Sequence, residues 1–280
     1  MKNEILRRLS ALALGLALLL NAAPLPQAFA VEDDTDASSS DSADSTDTAD
    51  KTAVTTADSD PTVTAAAANA PALDATAALL VSPESDMVLY EKNADEKRYP
   101  ASTTKIMTAL LTLENVSDLS VVVTAEASDF ENVTSDSSNA GIKVGEQVTV
   151  KDLLYALMLP SANEAAYMLA RHVGGSWEQF VDMMNERAAE LGCTGTHFCN
   201  PCGLHEDDHY TTAHDLYLIA KEAMKDATFR DIVSTVQHRM AKTNLHEERI
   251  ILTTNQLIFS SFQPWSYANC LGIKTGHTSQ

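Results

Sequence analysis

The sequence predicts an α/β fold in which an antiparallel sheet, assembled from both ends of the chain, flanks a cluster of helices. Three observations predict it: two short apolar runs open the folded part, helix-period segments fill the middle, and strand-like runs return near the end. Residues 77–81 and 87–90 enclose Pro83-Glu84-Ser85-Asp86, which reads as the turn of a hairpin. After Pro100, apolar residues recur at helical spacing over 105–111, so Ser102 is expected in the first turn of a buried helix. Between 150 and 173 the helical period breaks once, at Pro160-Ser161-Ala162-Asn163, which predicts two packed helices joined by a tight loop. Residues 177–191 form a third period closed by Gly192, and 211–224 a fourth, with Thr211 or Thr212 as N-cap. Residues 233–240 and 249–252 have weaker strand character, and 269–274 read as a strand approaching a site.

Composition narrows the function before any motif is read. At 280 residues and 45% hydrophobic, the chain is long enough for a sizeable core. Its formal net charge of -20 excludes a nucleic-acid partner, because phosphate binding needs Lys and Arg to displace counterions. About half of that charge lies in residues 31–60, where Lys51 is the single base, so this stretch reads as a solvated spacer. Upstream, Lys2, Arg7 and Arg8 precede an apolar run over 9–20. Asn21, Pro24 and Pro26 end that run short of the roughly 20 residues a membrane span needs, and Ala28-Phe29-Ala30 is spaced for cleavage. The expected organisation is a signal peptide over 1–30, an acidic Ala/Ser/Thr/Asp-rich linker over 31–72 and one folded domain over 73–280, exported to the envelope or beyond.

Export permits disulfides. Cys193, Cys199, Cys202 and Cys270 allow three pairings, and the sequence does not choose among them. Cys199-x-x-Cys202 lacks a second pair at ligand spacing, so no metal is expected, nor any other cofactor. His209 and His214 flank a helix start and are expected to be structural.

Three short motifs carry chemistry. A serine hydroxyl is a weak nucleophile at neutral pH, so acyl transfer needs a base within hydrogen-bond reach and donors for the oxyanion. Ser102-Thr103-Thr104-Lys105 puts a serine and a lysine one helical turn apart, and no other Ser in the chain has a Lys three residues on. The lysine can act as base only if burial or positive neighbours lower its pKa. Ser161-Ala162-Asn163 adds a hydroxyl and an amide at the break between two amphipathic helices; Ser137-Ser138-Asn139, in a polar stretch, is a rival for that role. Lys274-Thr275-Gly276-His277 would offer a substrate carboxylate a cation and a hydroxyl, with glycine letting the backbone come close.

Ser-x-x-Lys, Ser-x-Asn and Lys-Thr-Gly, in that order, match the motif set of penicillin-binding proteins and class A β-lactamases. Over residues 75–280 the chain resembles the low-molecular-mass D-alanyl-D-alanine carboxypeptidases among the penicillin-binding serine peptidases. Asn200-Pro201-x-Gly203-Leu204 and His209-Tyr210-Thr211-Thr212 match as well. The resemblance implies a β-lactamase/transpeptidase-like fold and removal of the terminal D-alanine from peptidoglycan stem pentapeptides, with β-lactams as covalent inhibitors. It implies that Ser102 forms the acyl-enzyme, Lys105 is the general base and Ser161 passes protons with Asn163 beside it. Lys274 and Thr275 would hold the carboxylate, Gly276 would allow its approach, and the N–H groups of Ser102 and His277 would form the oxyanion hole.

Two other readings stand beside this one. A class A-like β-lactamase would need a carboxylate base for water, and no Glu-x-x-Leu-Asn segment follows Ser161. A non-catalytic penicillin-binding or wall-binding fragment would keep the fold without turnover. The resemblance also implies further strands and a helix after the third motif, so the chain reads as truncated, with an incomplete sheet and low stability or activity on its own. Membrane association is expected only through a segment beyond Gln280.

Overall fold

The computed structural model describes residues 16–20, 71–134, 137–258 and 265–277. Contacts divide the chain into one unit of residues 1–23 with 74–280 and a second of residues 24–73, most of which lies outside the described residues. Of the segment read as a signal peptide only Leu16–Leu20 is described. The acidic linker lies outside the described residues up to residue 70.

The centre of the larger unit is helix α1 (Lys105–Asn115), in which every residue from Lys105 to Thr112 is buried. A helix apolar on one stripe needs one packing partner, whereas one buried all round needs several. Here α1 touches α2 (Val150–Met158), α3 (Asn163–Gly174), α4 (Trp177–Glu190), α5 (Ala213–Ala223) and α6 (Ala227–Val233). Ile106, Met107, Leu153, Leu157, Met168 and Phe180 are fully buried among them. Emptying one such position, as in Leu157→Ala, costs about 2–5 kcal/mol. The two threonines inside α1 are satisfied by main-chain carbonyls: Thr108 Oγ1 donates to Pro201 O at 2.6 Å and Thr112 Oγ1 to Thr108 O at 2.7 Å.

Helix starts follow local chemistry. Thr149, Ser176, Thr212 and Asp226 accept N–H bonds from Asp152, Gln179, Asp215 and Phe229, capping α2, α4, α5 and α6. Thr212 rather than Thr211 is therefore the cap of α5. The stretch 233–240 does not form one strand: the Asp226 cap starts α6, which buries Phe229 and Ile232 and keeps Val233, and the strand begins only at Gln237.

The sheet beside the helices contains the expected hairpin. β2 (Ala77–Ser82) pairs antiparallel with β3 (Met87–Lys92), Leu80 opposite Tyr90. On its other edge β2 pairs antiparallel with β1 (Leu16–Leu20), Leu18 opposite Leu79. Ala77, Leu79 and Val81 are buried, and β2 packs against α5. Two further antiparallel pairs, β4 (Val122–Thr124) with β5 (Gln147–Thr149) and β6 (Gln237–Met240) with β7 (Arg249–Leu252), lie outside this sheet.

The α/β class holds, with one departure in detail. Residues 269–274, expected as a strand, carry no ladder, and β2 takes its second neighbour from the N-terminal side of the chain. Alternating apolar residues make a strand only where a neighbour supplies backbone partners, and among the described residues this segment has none. No described helix is long and apolar enough to cross a membrane.

Candidate active site

Ser102 sits not in the first α-turn but in a 3-10 turn, Ala101–Thr104, that runs directly into α1. The difference matters for chemistry, because a 3-10 turn eclipses side chains three residues apart. Lys105 Nζ lies 3.0 Å from Ser102 Oγ. The turn is tied from within by Thr103 Oγ1 donating to Pro100 O at 2.7 Å. Ala101 takes a φ of 48°, a left-handed conformation that costs a residue with a Cβ. Its carbonyl is packed so closely by Gly203 that a Cβ added there would stand 1.8 Å from Ala101 O, and Gly203 itself has a φ of +86°. No other residue fits position 203.

Lys105 is completely buried. Burial pushes its pKa down to about 8. Besides Ser102, its Nζ reaches Asn163 Oδ1 at 2.7 Å and Cys202 O at 2.6 Å. Those two carbonyl oxygens can only accept. An uncharged amine spends both hydrogens on them, which leaves its lone pair for the hydroxyl hydrogen of Ser102. After the proton moves, the ammonium donates to the same three oxygens, so the transfer needs no displacement of heavy atoms.

Asn163 opens α3, and the residue two before it, Ser161, has a φ of 67°. The Ser161 hydroxyl is buried and has no protein partner among the described residues. A hydroxyl in that condition is available to a ligand. The rival serines serve differently. Ser138 accepts the Asn163 N–H on its carbonyl at 2.9 Å, and Ser137 Oγ donates to Thr134 O at 2.7 Å. Both line the cleft as part of its wall. Glu164, next in α3, holds the same wall by accepting the Ala140 N–H at 2.6 Å, and burial raises its carboxyl pKa.

The third motif faces this cluster. A Cβ on Gly276 would stand 2.9 Å from Pro100 O and 3.2 Å from Thr103 Cγ2, so the segment lies against the 3-10 turn itself. Thr275 Oγ1 shares a 2.6 Å hydrogen bond with Thr254 Oγ1, whose own N–H bonds Leu159 O at 3.0 Å. Lys274 is buried and donates to Thr275 O at 2.8 Å. Burial, then the charge of Lys105, hold its ammonium well below the usual lysine range.

The cleft between these walls has a volume of about 460 Å³ and is lined by Ser102, Ser161, Asn163, Thr275, Gly276 and His277, with Cys202 to His205 on one flank. It is a polar groove with the Ser102 hydroxyl and its lysine partner at its base and the desolvated Lys274 amine at one side, an arrangement suited to acyl transfer from an anionic substrate. The eight residues singled out from sequence converge here: Lys105 and Lys274 beside it, the other six on its lining. Sequence reasoning missed the Cys202 carbonyl, since a main-chain oxygen leaves no signature in residue type. Asn200, in a segment matched from sequence without a role, shapes the loop that presents this carbonyl: its Oδ1 accepts from Gly203 N at 2.8 Å and Leu204 N at 3.1 Å. All four cysteines are free thiols. Among the described residues no group of three or more His, Cys, Asp or Glu is placed to hold a metal.

Known proteins resemble this chain in sequence and in fold. The family model described as D-alanyl-D-alanine carboxypeptidase matches residues 64–280. The D-alanyl-D-alanine carboxypeptidase DacF of Bacillus subtilis (strain 168) is 35% identical over 208 residues, 74% of this chain and 52% of that protein. A D-alanyl-D-alanine carboxypeptidase of Streptomyces sp. (strain K15) is 38% identical over 202 residues, 67% of each chain. The crystal structure of the Streptomyces K15 DD-transpeptidase superposes with a TM-score of 0.67 at 35% identity, covering 75% of this chain and 82% of that one. The chain thus spans about half the length of DacF and two thirds of the Streptomyces relative.

Proposed function

Because the chain belongs to the D-alanyl-D-alanine carboxypeptidase family of low-molecular-mass penicillin-binding proteins, we propose that it removes the terminal D-alanine from peptidoglycan stem pentapeptides through an acyl-enzyme on Ser102. The observation that carries this reading is the 3.0 Å contact between Ser102 Oγ and a buried lysine whose pKa lies at about 8.

In the forward step Lys105 takes the Ser102 hydroxyl proton as Oγ adds to the carbonyl carbon of the penultimate D-alanine. The N–H groups of Ser102 and His277 receive the oxyanion. As the C–N bond breaks, the proton passes by way of Lys105 and Ser161 to the leaving amine, freeing D-alanine. Water then adds to the ester and the proton path runs in reverse. The free hydroxyl of Ser161 and the Asn163 amide on Lys105 support those two roles. Lys274 and Thr275 hold the terminal carboxylate; a desolvated amine gains most from an anion that enters the same dry pocket.

The same acyl-enzyme serves a transpeptidase when an amine replaces water, the activity named for the Streptomyces K15 structure. A class A-like β-lactamase is disfavoured, since no Glu-x-x-Leu-Asn segment follows Ser161 and, among the described residues, no carboxylate lines the cleft to activate water against a penicilloyl ester. The basic, apolar and small-residue succession over 1–30 supports export, with residues 31–72 as a spacer, and an envelope substrate agrees with it.

Release of D-alanine from a pentapeptide, compared between the chain and its Ser102→Ala form, tests the proposal. Release by the first and none by the second is expected; equal rates would end it, and a chain that binds penicillin covalently without releasing D-alanine would favour the non-catalytic reading.

A further inference from the structure

The loop of residues 199–203 is gripped by the nucleophile helix at successive carbonyls, Thr108 on Pro201 O and Lys105 on Cys202 O. A third grip runs through a histidine. His209 Nδ1 accepts the Cys199 N–H at 3.1 Å, which leaves the ring proton on Nε2, and Nε2 lies 2.8 Å from Thr104 Oγ1. The imidazole therefore accepts from the loop and donates to the residue that stands immediately before Lys105. The Phe198 ring packs edge-on at 5.7 Å and fixes its rotation. His209 is buried.

The groups facing the ring keep it uncharged. Burial first, then the neighbouring His197, His205 and Lys105, push its pKa down to about 3. Glu206 and Asp208 precede it on its own loop, the Glu206 carbonyl accepting the His209 N–H at 2.9 Å. A second ring proton would point Nδ1–H at the Cys199 N–H, two donors facing each other, so the brace exists only in the neutral form.

We propose that His209 is a positioning residue for acylation: by tying Cys199 to Thr104 it fixes the loop whose Cys202 carbonyl orients the Lys105 amine toward Ser102. The inference rests on the carboxypeptidase reading, and it assigns to this histidine a part in the reaction beyond holding a helix start.

Labelled penicillin and the full chain test it, with the acylation rate constant separated from the dissociation constant of the complex that precedes it. Thr104→Val removes the hydroxyl end of the brace without changing side-chain shape. His209→Asn keeps an acceptor near the Nδ1 position and loses the Nε2 end. Each is expected to slow acylation about tenfold. The pre-acylation constant should stay within about twofold of wild type, because neither residue would touch the ligand. Labelling at long times should still reach one site per folded chain, and the double variant should be no slower than either single, since both break one brace.

Singles that keep the wild-type rate per titrated site, effects that multiply in the double, or a loss appearing only as fewer titratable sites would each overturn the inference. A wild-type chain that takes no label would overturn the carboxypeptidase reading and this inference with it; normal wild-type labelling with unaffected variants overturns the inference alone.

Discussion

The two walls of the cleft are built differently. On the helix side, the start of α1 is tied to the 199–203 loop by hydrogen bonds from Lys105 and Thr108, the 3-10 turn is tied to the same loop indirectly through His209, which bridges Thr104 and Cys199, and Gly203 is pressed onto Ala101 with no space to spare. On the other side, residues 274–277 belong to no ladder; the Thr275–Thr254 hydroxyl bond and the approach of Gly276 to Pro100 hold them in place. The difference teaches where precision is needed. The proton-transfer pair has to be correct to a fraction of an ångström before substrate arrives, whereas an anchor for a carboxylate completes its hydrogen bonding only when the anion is bound.

The largest effects should separate the walls by kinetic step. Lys105→Met keeps bulk in the helix-side pocket but removes the base, and acylation by labelled penicillin should fall about 10³-fold with little change in prior binding. Lys274→Met should act on the opposite term: the ligand's dissociation constant should rise about 10- to 100-fold, with a smaller change in the rate constant, read from the concentration dependence of labelling. Equal partition of either effect between the two terms would erase the contrast.

Glycine substitutions probe the same asymmetry through stability. Gly203→Ala combines an impossible contact with a left-handed backbone and should destabilise by about 3 kcal/mol or more, seen as a large fall in Tm. Gly276→Ala meets Pro100 O at 2.9 Å and can be relieved by a small shift of a less constrained segment, so about 1–2 kcal/mol is expected.

A pH series sharpens the helix side. Lys105 must be uncharged to act, so acylation should rise about tenfold per pH unit up to about pH 8 and level off above it. Stability carries the same sign: the folded amine binds its proton less tightly than the unfolded one, so its contribution is lowest below pH 8 and grows until about 10.5. The smallest effect is expected from Thr254→Val, about threefold in the ligand's dissociation constant, because it loosens a single hydroxyl tie on the wall formed by residues 274–277.

What was legible beforehand follows a physical divide. Helical periods in α1 to α5 were visible because burial repeats every three to four residues, and the break at Pro160 to Asn163 was visible because proline and small polar residues interrupt it. The three motifs were visible because acyl transfer restricts residue type. The Cys202 carbonyl was not, since any residue offers one, and the brace through His209 was not, since its partners Thr104 and Cys199 are far apart in sequence. β4 and β5, three residues each, are too short for alternation to register. The run at 269–274 showed the converse problem: its apolar pattern is real, but a strand is a property of two segments, and the pattern describes one.

Lys274, an amine stripped of water and set beside another, has a consequence for calorimetry. When a carboxylate settles against it, the anion favours the charged form and raises the pKa that burial holds down, so binding is coupled to uptake of hydrogen ions from the medium. Heats of binding should then vary with the ionisation enthalpy of the buffer, and affinity should weaken as alkali makes that ion scarcer.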